Sequence, residues 1–165
     1  MTASTWLDKQ KLLQALVALL EQDLGKLAEA QRNTQSGATH EESKPENDKD
    51  TRALESSYLA RGQAKRVLEL RDELARLVAM ECRAFQSDTP IALSAVVELE
   101  SNEGSVIYWL VPAGAGSKLE VDGQLVRVVT PQSPLGRGLL RKQCGDALEV
   151  QTPQGLREYE IVRVC

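Results

Sequence analysis

The sequence predicts an α+β fold, in which a long antiparallel hairpin of two α-helices precedes a small antiparallel β-sheet domain with one short helix. Apolar residues recur at helical spacing in the first half and alternate with polar residues after Pro90. Five of the six prolines and eight of the eleven glycines follow Asp88. Because only a short polar segment separates the helical stretches, we expect antiparallel helices. The predicted boundaries are 1–86 for the hairpin, 87–90 for a linker and 91–165 for the second domain.

The first helix is predicted to run from about Trp6 to about Gln35. Thr5 is expected to cap its start, because a hydroxyl there can accept a bond from an unpaired backbone N–H, and Gly37 is expected to end it. Apolar residues in this stretch follow alternating steps of four and three, which is typical of a coiled-coil seam. The seam consists of Leu13, Val17, Leu20, Leu24 and Leu27.

The second helix is predicted from about Lys44 to about Ala84, and Tyr58 near its start is expected to pack against the first helix. At 1.5 Å per residue, the two helices would be about 45 and about 60 Å long. Helices of this length with narrow apolar sides predict a protruding hairpin with an apolar base and a polar tip. The apolar side of the second helix consists of Val67, Leu70, Leu74, Leu77 and Cys82.

The second domain is predicted to contain four or five short strands, because apolar and polar residues alternate there. Asp122-Gly123 is typical of a tight hairpin turn. Ser133-Pro134 is typical of a helix start, since proline is favoured at the first helical position. The strands are expected near 91–100, 105–111, 124–130, 146–152 and 156–164, and the helix over about 133–142.

Composition argues against several classes of function. With 20 basic and 24 acidic side chains the net charge is −4, and no basic arm is present to bind nucleic-acid phosphates. No stretch is apolar enough to span a membrane and the first residues lack the order of a signal peptide, so we expect a cytoplasmic protein. Three widely spaced cysteines and a single histidine, His40, argue against a structural zinc site or a disulfide framework.

Five carboxylates fall within ten residues at the predicted tip of the hairpin, near 38–50. One interpretation is structural, since Thr39 with Glu42 and Ser43 with Glu46 both have the spacing of a capping box. The other is functional, because carboxylates at the end of a long rigid hairpin can complete the oxygen shell of a Mg²⁺ ion on another macromolecule. The five are Glu41, Glu42, Glu46, Asp48 and Asp50.

Several segments resemble the bacterial Gre-type transcription elongation factors, GreA and GreB. The strand Leu125–Thr130 followed by Ser133-Pro-Leu-Gly-Arg-Gly-Leu-Leu140 resembles the family's strand and its SPxxxGL helix start. Gly145–Gly155 and Glu158–Val162 resemble the family's closing hairpin, and Glu46–Arg61 is similar to the segment after the family's tip. The resemblance covers nearly the whole chain and is strongest in the second domain.

The resemblance implies a function in transcription. Gre factors dock an FKBP-like C-terminal domain at the rim of the secondary channel of RNA polymerase and insert the coiled coil into that channel. Acids at the tip then help to hold the second catalytic Mg²⁺, and the polymerase's own active centre cuts the backtracked nascent RNA. We therefore expect a monomeric accessory factor without a cofactor of its own and without membrane contact.

The resemblance also implies roles for particular residues. Glu46 and Glu42 are expected to orient the Mg²⁺ ion of the polymerase, with Asp48 in reserve. The predicted docking residues are Ser133, Pro134 and Arg137.

The tip departs from the family pattern at one position. The family has an aspartate three residues before its glutamate, and here Glu46 stands at the glutamate position but Ser43 stands at the aspartate position. Two alternatives to a cleavage factor therefore stay open. One is a non-cleaving regulator or inhibitor that binds the same channel, and the other is an unrelated protein-interaction module.

Overall fold

The structure is a computed structural model that describes residues 6–40 and 51–165. The predicted order of a helical hairpin followed by a small sheet domain with one short helix is confirmed. The helices of the hairpin are α1 (Lys9–His40) and α2 (Thr51–Val78). The second domain contains β1 (Val96–Ser101), β2 (Gly104–Leu110), β3 (Lys118–Val121), β4 (Gln124–Val129), α3 (Pro134–Leu139), β5 (Ala147–Thr152) and β6 (Gly155–Val164).

The first helix begins and ends later than predicted. Oδ1 of Asp8 accepts hydrogen bonds from the backbone N–H groups of Gln10 at 2.9 Å and Lys11 at 3.3 Å, so Asp8 caps the helix. The predicted cap, Thr5, lies outside the described residues. The helix passes through Gly37 without ending, because one interior glycine costs only about 1 kcal/mol relative to alanine.

The second helix ends at Val78, earlier than the predicted Ala84. Residues 79–95 instead run in an irregular path along the second domain, where Phe85 and Ile91 are buried in the core. Cys82 lies on this path and is half-buried, so it does not belong to the apolar side of the helix. In the described ranges, no helix combines the length and apolar character needed to cross a bilayer.

The sheet has six strands in the order β3-β4-β2-β1-β6-β5. Every neighbouring pair is antiparallel except β2 and β4, which are parallel, so the sheet is not antiparallel throughout as predicted. The exception arises because β3 turns back at Asp122-Gly123 and lies at the edge, which places β4 beside β2. Both turn residues have positive φ, 51° and 75°, as the predicted tight turn requires.

The two faces of the sheet bury two separate clusters. One face packs against the base of the hairpin around Trp109, which is fully buried. The other packs against α3 and the segment that contains Phe85 and Ile91. The sheet is therefore covered on both sides, and the hairpin and α3 lie on opposite faces.

Docking on the sheet changes which residues of α1 are buried. Leu12 and Leu16 are fully buried and Leu20 nearly so, whereas the predicted seam residues Leu13 and Val17 are only half-buried. A seam between two isolated helices was predicted. The base of α1 contacts the sheet as well as α2. Its most buried residues are therefore those that face both the sheet and α2.

Burial decreases along the hairpin away from the sheet. On α2, Val67, Leu70 and Leu77 are buried, but every residue of 51–59 is exposed. Tyr58 has 70% of its surface exposed, so the prediction that it packs against the first helix is wrong. The 32 residues of α1 correspond to about 48 Å at 1.5 Å per residue, which confirms an elongated element with an apolar base.

Polar contacts join the base of the hairpin to the second domain. Nζ of Lys11 lies 2.8 Å from Oδ1 of Asp122, and Oε2 of Glu73 accepts a hydrogen bond of 3.2 Å from the backbone N–H of Gly114. Nζ of Lys9 donates to the backbone carbonyl of Arg83. These contacts, with the shared apolar cluster, hold the hairpin in one direction relative to the sheet.

Candidate functional site

The predicted metal-orienting acids Glu42, Glu46 and Asp48 lie outside the described residues, as does Ser43. Their roles stay predictions from the sequence. In the ranges 6–40 and 51–165, no group of three or more histidine, cysteine, aspartate or glutamate side chains is placed to hold a metal ion. The site that can be built from the structure is therefore the predicted docking region around α3.

Ser133 positions the start of α3. Its backbone is extended, with φ −70° and ψ 152°, and its Oγ accepts a hydrogen bond of 3.0 Å from the N–H of Gly136. The same hydroxyl donates a bond of 2.8 Å to the carbonyl of Thr130. Pro134 then occupies the first turn, where its missing N–H has no helical partner. Ser133 is thus a structural cap, whatever it contacts in a partner.

The side of α3 that faces solvent is basic. We call this surface the α3 edge, formed by Pro134, Arg137, Arg141 and Lys142. Pro134, Arg137 and Arg141 are exposed and Lys142 is half-buried. The ion pairs within the described ranges involve none of the three cations.

The backbone behind the α3 edge is held in place by the irregular segment. The N–H of Arg141 donates to the carbonyl of Ile91 at 2.9 Å, and the N–H of Ile91 donates to the carbonyl of Lys142 at 2.8 Å. Arg141 has a φ of 67°, which allows the chain to leave α3 and turn toward β5. The α3 edge is therefore a rigid surface rather than a free loop.

A groove of about 290 Å³ lies beside the start of α3 on the same face of the sheet. Ser133 lines it together with Tyr108, Lys118 and Arg127. Arg127 is the register partner of Lys118 across β3 and β4 and of Tyr108 across β2 and β4. Directly opposite residues project from the same face, so the three side chains form one row. We call this feature the basic groove.

Tyr108 lies near a second tyrosine, Tyr159, and near two arginines, Arg127 and Arg157. Burial raises the pKa of Tyr108, and nearby Tyr159 raises it further, while Arg127 opposes both through charge and a hydrogen bond. A hydrogen bond to Tyr159 and the charge of Glu103 raise the pKa of Arg157. Arg157 also forms an ion pair of 2.9 Å with Glu103. The phenol of Tyr108 is therefore protonated at neutral pH.

The three predicted docking residues lie next to one another but belong to two different surface features. Ser133 borders the basic groove, Pro134 and Arg137 lie on the α3 edge, and the structure contains no partner that would test their role. Sequence reasoning missed Tyr108, Lys118 and Arg127. The alternation Val126, Arg127, Val128 does predict that Arg127 projects from the other face of the strand than its two buried neighbours. Strand order, however, decides which side chains lie beside it.

Residues 89–165 contain the whole sheet, α3 and the basic groove, and they match the family model described as transcription elongation factor, GreA/GreB, C-terminal. This part of the chain is similar to the C-terminal domain of the GreA/GreB family. The resemblance predicted from the SPxxxGL segment and the closing hairpin is therefore confirmed.

Curated relatives match part of the length of this chain. The chain is 34% identical over 101 residues to transcription elongation factor GreA of Polaromonas naphthalenivorans, a match that covers 60% of each protein. It is 31% identical over 97 residues to GreA of Pelagibacter ubique, which covers 58% of each. The chain thus spans about 60% of the length of the curated relatives that it matches.

A solved structure is also similar to this chain. The crystal structure of GreA factor homolog 1 of Thermus thermophilus is 27% identical and covers 92% of this chain and 95% of its own, with a TM-score of 0.38.

Proposed function

We propose that this protein is a transcription elongation factor that binds RNA polymerase through its secondary channel and promotes cleavage of backtracked RNA. The observation that carries the proposal is the match of residues 89–165 to the GreA/GreB C-terminal family. The curated relatives that match are named transcription elongation factors.

The geometry of the described residues supports a protein whose second domain docks on the polymerase and whose hairpin extends into the channel. The α3 edge offers a rigid, basic surface for docking on the polymerase. The hairpin extends from the opposite face of the sheet over about 48 Å, long enough to reach from a surface opening to a buried centre. Contacts such as Lys11 to Asp122 and Glu73 to Gly114 fix the direction of the hairpin relative to the sheet. The orientation of the docked domain therefore determines the direction of the hairpin.

The chemistry proposed for the tip is electrostatic. Glu46 and Glu42, with Asp48 in reserve, provide carboxylate oxygens to the second Mg²⁺ of the polymerase, which prefers oxygen ligands. When bound, the ion would supply activation of a water ligand by lowering its pKa, and the polymerase's own active centre would cut the RNA. In this proposal the protein is an accessory factor, and neither the ion nor the catalytic centre is its own.

One sequence position favours a second candidate function. Ser43 stands where the Gre family carries an aspartate, so one of the expected oxygen ligands is a hydroxyl instead of a carboxylate. A factor with a weakened tip would still occupy the channel. The second candidate is therefore a regulator that binds the polymerase and competes or inhibits without cleaving.

Backtracked elongation complexes separate these functions. Purified complexes incubated with Mg²⁺ and the protein should shorten the RNA from its 3′ end faster than complexes alone. Glu46→Ala and Glu42→Ala should remove this acceleration while polymerase binding stays within about threefold, since neither residue belongs to the proposed docking surface. Glu29→Ala, an exposed acid on α1, is the matched control and should cleave normally.

Each alternative has its own outcome in the same assay. Binding to the polymerase without RNA shortening would identify the non-cleaving regulator. Normal cleavage by both tip variants would show that the tip assignment is wrong. No retention of purified polymerase by the wild-type protein would leave only the unrelated interaction module.

A further inference from the structure

The loop between β2 and β3 contacts both helices of the hairpin. Gly114 in this loop has a φ of 79°, and a Cβ atom at this position would lie 3.0 Å from Cδ1 of Leu16 on α1. The backbone N–H of Gly114 donates a hydrogen bond of 3.2 Å to Oε2 of Glu73 on α2. We call these three residues, Leu16, Glu73 and Gly114, the hairpin clasp.

The sheet holds the loop of the clasp in place. The N–H of Gly116 donates to the carbonyl of Val128 on β4 at 3.1 Å, and the N–H of Val128 donates to the carbonyl of Ser117 at 2.8 Å. Ala113, which directly precedes Gly114, is buried in the same core cluster as the base of the hairpin. A side chain of α2 that binds Gly114 is therefore tied to the sheet itself.

Glu73 is oriented for this contact by its own helix. Its Oε1 lies 3.3 Å from Nη1 of Arg66, which leaves Oε2 for Gly114. The side chain of Glu73 is 19% exposed, whereas Lys11 and Asp122, which also join the hairpin to the second domain, are 54% and 52% exposed. Exposed ion pairs contribute little to stability, and hydrogen bonds to a charged acceptor are stronger than neutral ones. Of these two contacts, the one made by Glu73 therefore holds the hairpin more firmly.

A small rotation at the clasp becomes a large displacement at the far end of the hairpin. At 1.5 Å per residue, Glu73 lies about 33 Å along α2 from Thr51, and Glu46 precedes Thr51 by five residues in the sequence. A rotation of about 5° at the clasp would therefore move that end of α2 by about 3 Å. Mg²⁺ requires near-ideal ligand geometry at about 2.0–2.1 Å, and a misplacement of about 1 Å can lower a rate about 100-fold.

We infer that Glu73 is a positioning residue of the proposed RNA-cleavage reaction, because its hydrogen bond to Gly114 sets the direction in which the hairpin presents the tip carboxylates. This inference rests on the proposed function and concerns a contact within this chain. Apolar packing around Leu16 joins the hairpin to the sheet but is not directional. A hydrogen bond is directional, so Glu73 selects one orientation among those that the apolar contact allows.

The first measurement is made on the free full chain. Residual dipolar couplings of the backbone N–H groups report the direction of α1 and α2 relative to the sheet, and wild type should fit a single orientation. In Glu73→Ala the couplings of the helices should decrease relative to those of the sheet, because the hairpin then samples a range of directions. Glu73→Asp, which keeps the charge but is too short to reach Gly114, should behave in the same way. Unchanged couplings in both variants would overturn the inference.

Two further variants identify the contact that matters. Glu73→Gln should resemble wild type, because its amide oxygen can still accept the N–H of Gly114. Glu69→Ala is the matched control, since Glu69 is an exposed acid one turn away on α2 that also pairs with Arg66. It should leave the couplings unchanged.

The second measurement is RNA cleavage in backtracked elongation complexes at a saturating concentration of the protein. Glu73→Ala and Glu73→Asp should lower the cleavage rate at least about tenfold, while polymerase affinity stays within about threefold because Glu73 is not one of the proposed docking residues. Glu73→Gln and Glu69→Ala should cleave like wild type. A loss of stability alone would not lower the rate of complexes that are already saturated with folded protein.

The outcomes separate this inference from the proposed function. If wild type cleaves and Glu73→Ala and Glu73→Asp cleave equally fast at saturation, the inference is wrong and the proposed function stands. If Glu73→Gln loses as much activity as Glu73→Ala, the charge of Glu73 matters instead of its bond to Gly114, and the inference is overturned. If wild type does not accelerate cleavage, the proposed function fails and the positioning role fails with it.

Discussion

Gly136 lies against the carbonyl of Thr130 so closely that a Cβ atom at Gly136 would be 2.0 Å from the Thr130 oxygen. The same carbonyl accepts the hydroxyl of Ser133, so it cannot move away without loss of the cap. Glycine at position 136, the second x of the SPxxxGL segment, is therefore required by close backbone approach. Its φ is not in the left-handed region.

Gly136→Ala should destabilise the protein by about 1–3 kcal/mol, the usual range for overpacking in a rigid environment. Gly138→Ala is the matched control, because its Cβ would meet the movable Cδ1 of Leu148 at 3.2 Å. We expect the control to change stability by less than about 1 kcal/mol, since better helix propensity offsets the small displacement. Urea unfolding compares the two variants, and equal losses would contradict the role of the Thr130 carbonyl.

Reversal of charge on the α3 edge should weaken docking to RNA polymerase without affecting the fold. Arg137 is exposed and makes no ion pair with a described residue, so Arg137→Glu removes no internal contact. Like-charge placement at an interface is costly, and we expect at least tenfold weaker binding, which corresponds to about 1.4 kcal/mol. Pro134→Glu should act in the same direction. Titration of purified polymerase measures both, and unchanged affinity would remove this edge from the docking surface.

The base of the hairpin should depend more on Leu16 than on the predicted seam residue Leu13. Leu16 is fully buried and its side chain lies beside Gly114, whereas Leu13 is half-buried. Leu16→Ala should cost about 2–5 kcal/mol, the range for a truncated leucine in a packed core. Leu13→Ala should cost clearly less. Chemical denaturation distinguishes them, and equal costs would mean that the sheet does not contribute to this contact.

Local signals predicted local structure well. Asp122-Gly123 and Ser133-Pro134 each fix a turn or a cap through residues that are neighbours in sequence, and both occur as expected. The burial of Leu12 and Leu16 in place of Leu13 and Val17 depends on the sheet, a contact between distant parts of the chain. Periodicity within one helix cannot contain that information.

The candidate site likewise combines features that follow from the local sequence with features that depend on distant parts of the chain. The cap at Ser133 and the exposure of Arg137 follow from the segment itself. The basic groove needs Tyr108, Lys118 and Arg127 on three adjacent strands, and their order results from the edge position of β3. Resemblance to a family predicted a docking segment, but strand order determined which other side chains share its surface.

Lys9 should make stability depend on pH in the alkaline range. Burial lowers the pKa of Lys9 from 10.5 to about 8, although the nearby thiols of Cys82 and Cys165 oppose the shift. The folded protein thus loses this proton near pH 8, while the unfolded chain keeps it to about pH 10.5. Because the unfolded state binds more protons between these values, the contribution of Lys9 to the free energy of unfolding rises with pH in this window.

Lys9→Met serves as the comparison, because it retains the length of the side chain and removes the titration. The free energy of unfolding of wild type minus that of Lys9→Met should increase by about 1–3 kcal/mol between pH 7.5 and pH 10. Urea titrations at four pH values measure this difference. Repetition with Cys82→Ser and Cys165→Ser in both proteins removes the thiols that titrate nearby, and a flat difference in that background would contradict the assignment to Lys9.

Ser43→Asp tests whether the tip is limited by a missing carboxylate. The substitution restores the family's spacing of an aspartate three residues before Glu46, and a carboxylate is a stronger ligand for Mg²⁺ than a hydroxyl. We expect RNA cleavage in backtracked complexes to rise several-fold at subsaturating Mg²⁺, with polymerase affinity unchanged because Ser43 is not one of the proposed docking residues. Ser43→Asn, which has the same shape without the charge, should not increase cleavage. If Ser43→Asp leaves the rate unchanged while Glu42→Ala abolishes it, Glu42 already supplies the second carboxylate and the departure at Ser43 has no functional cost.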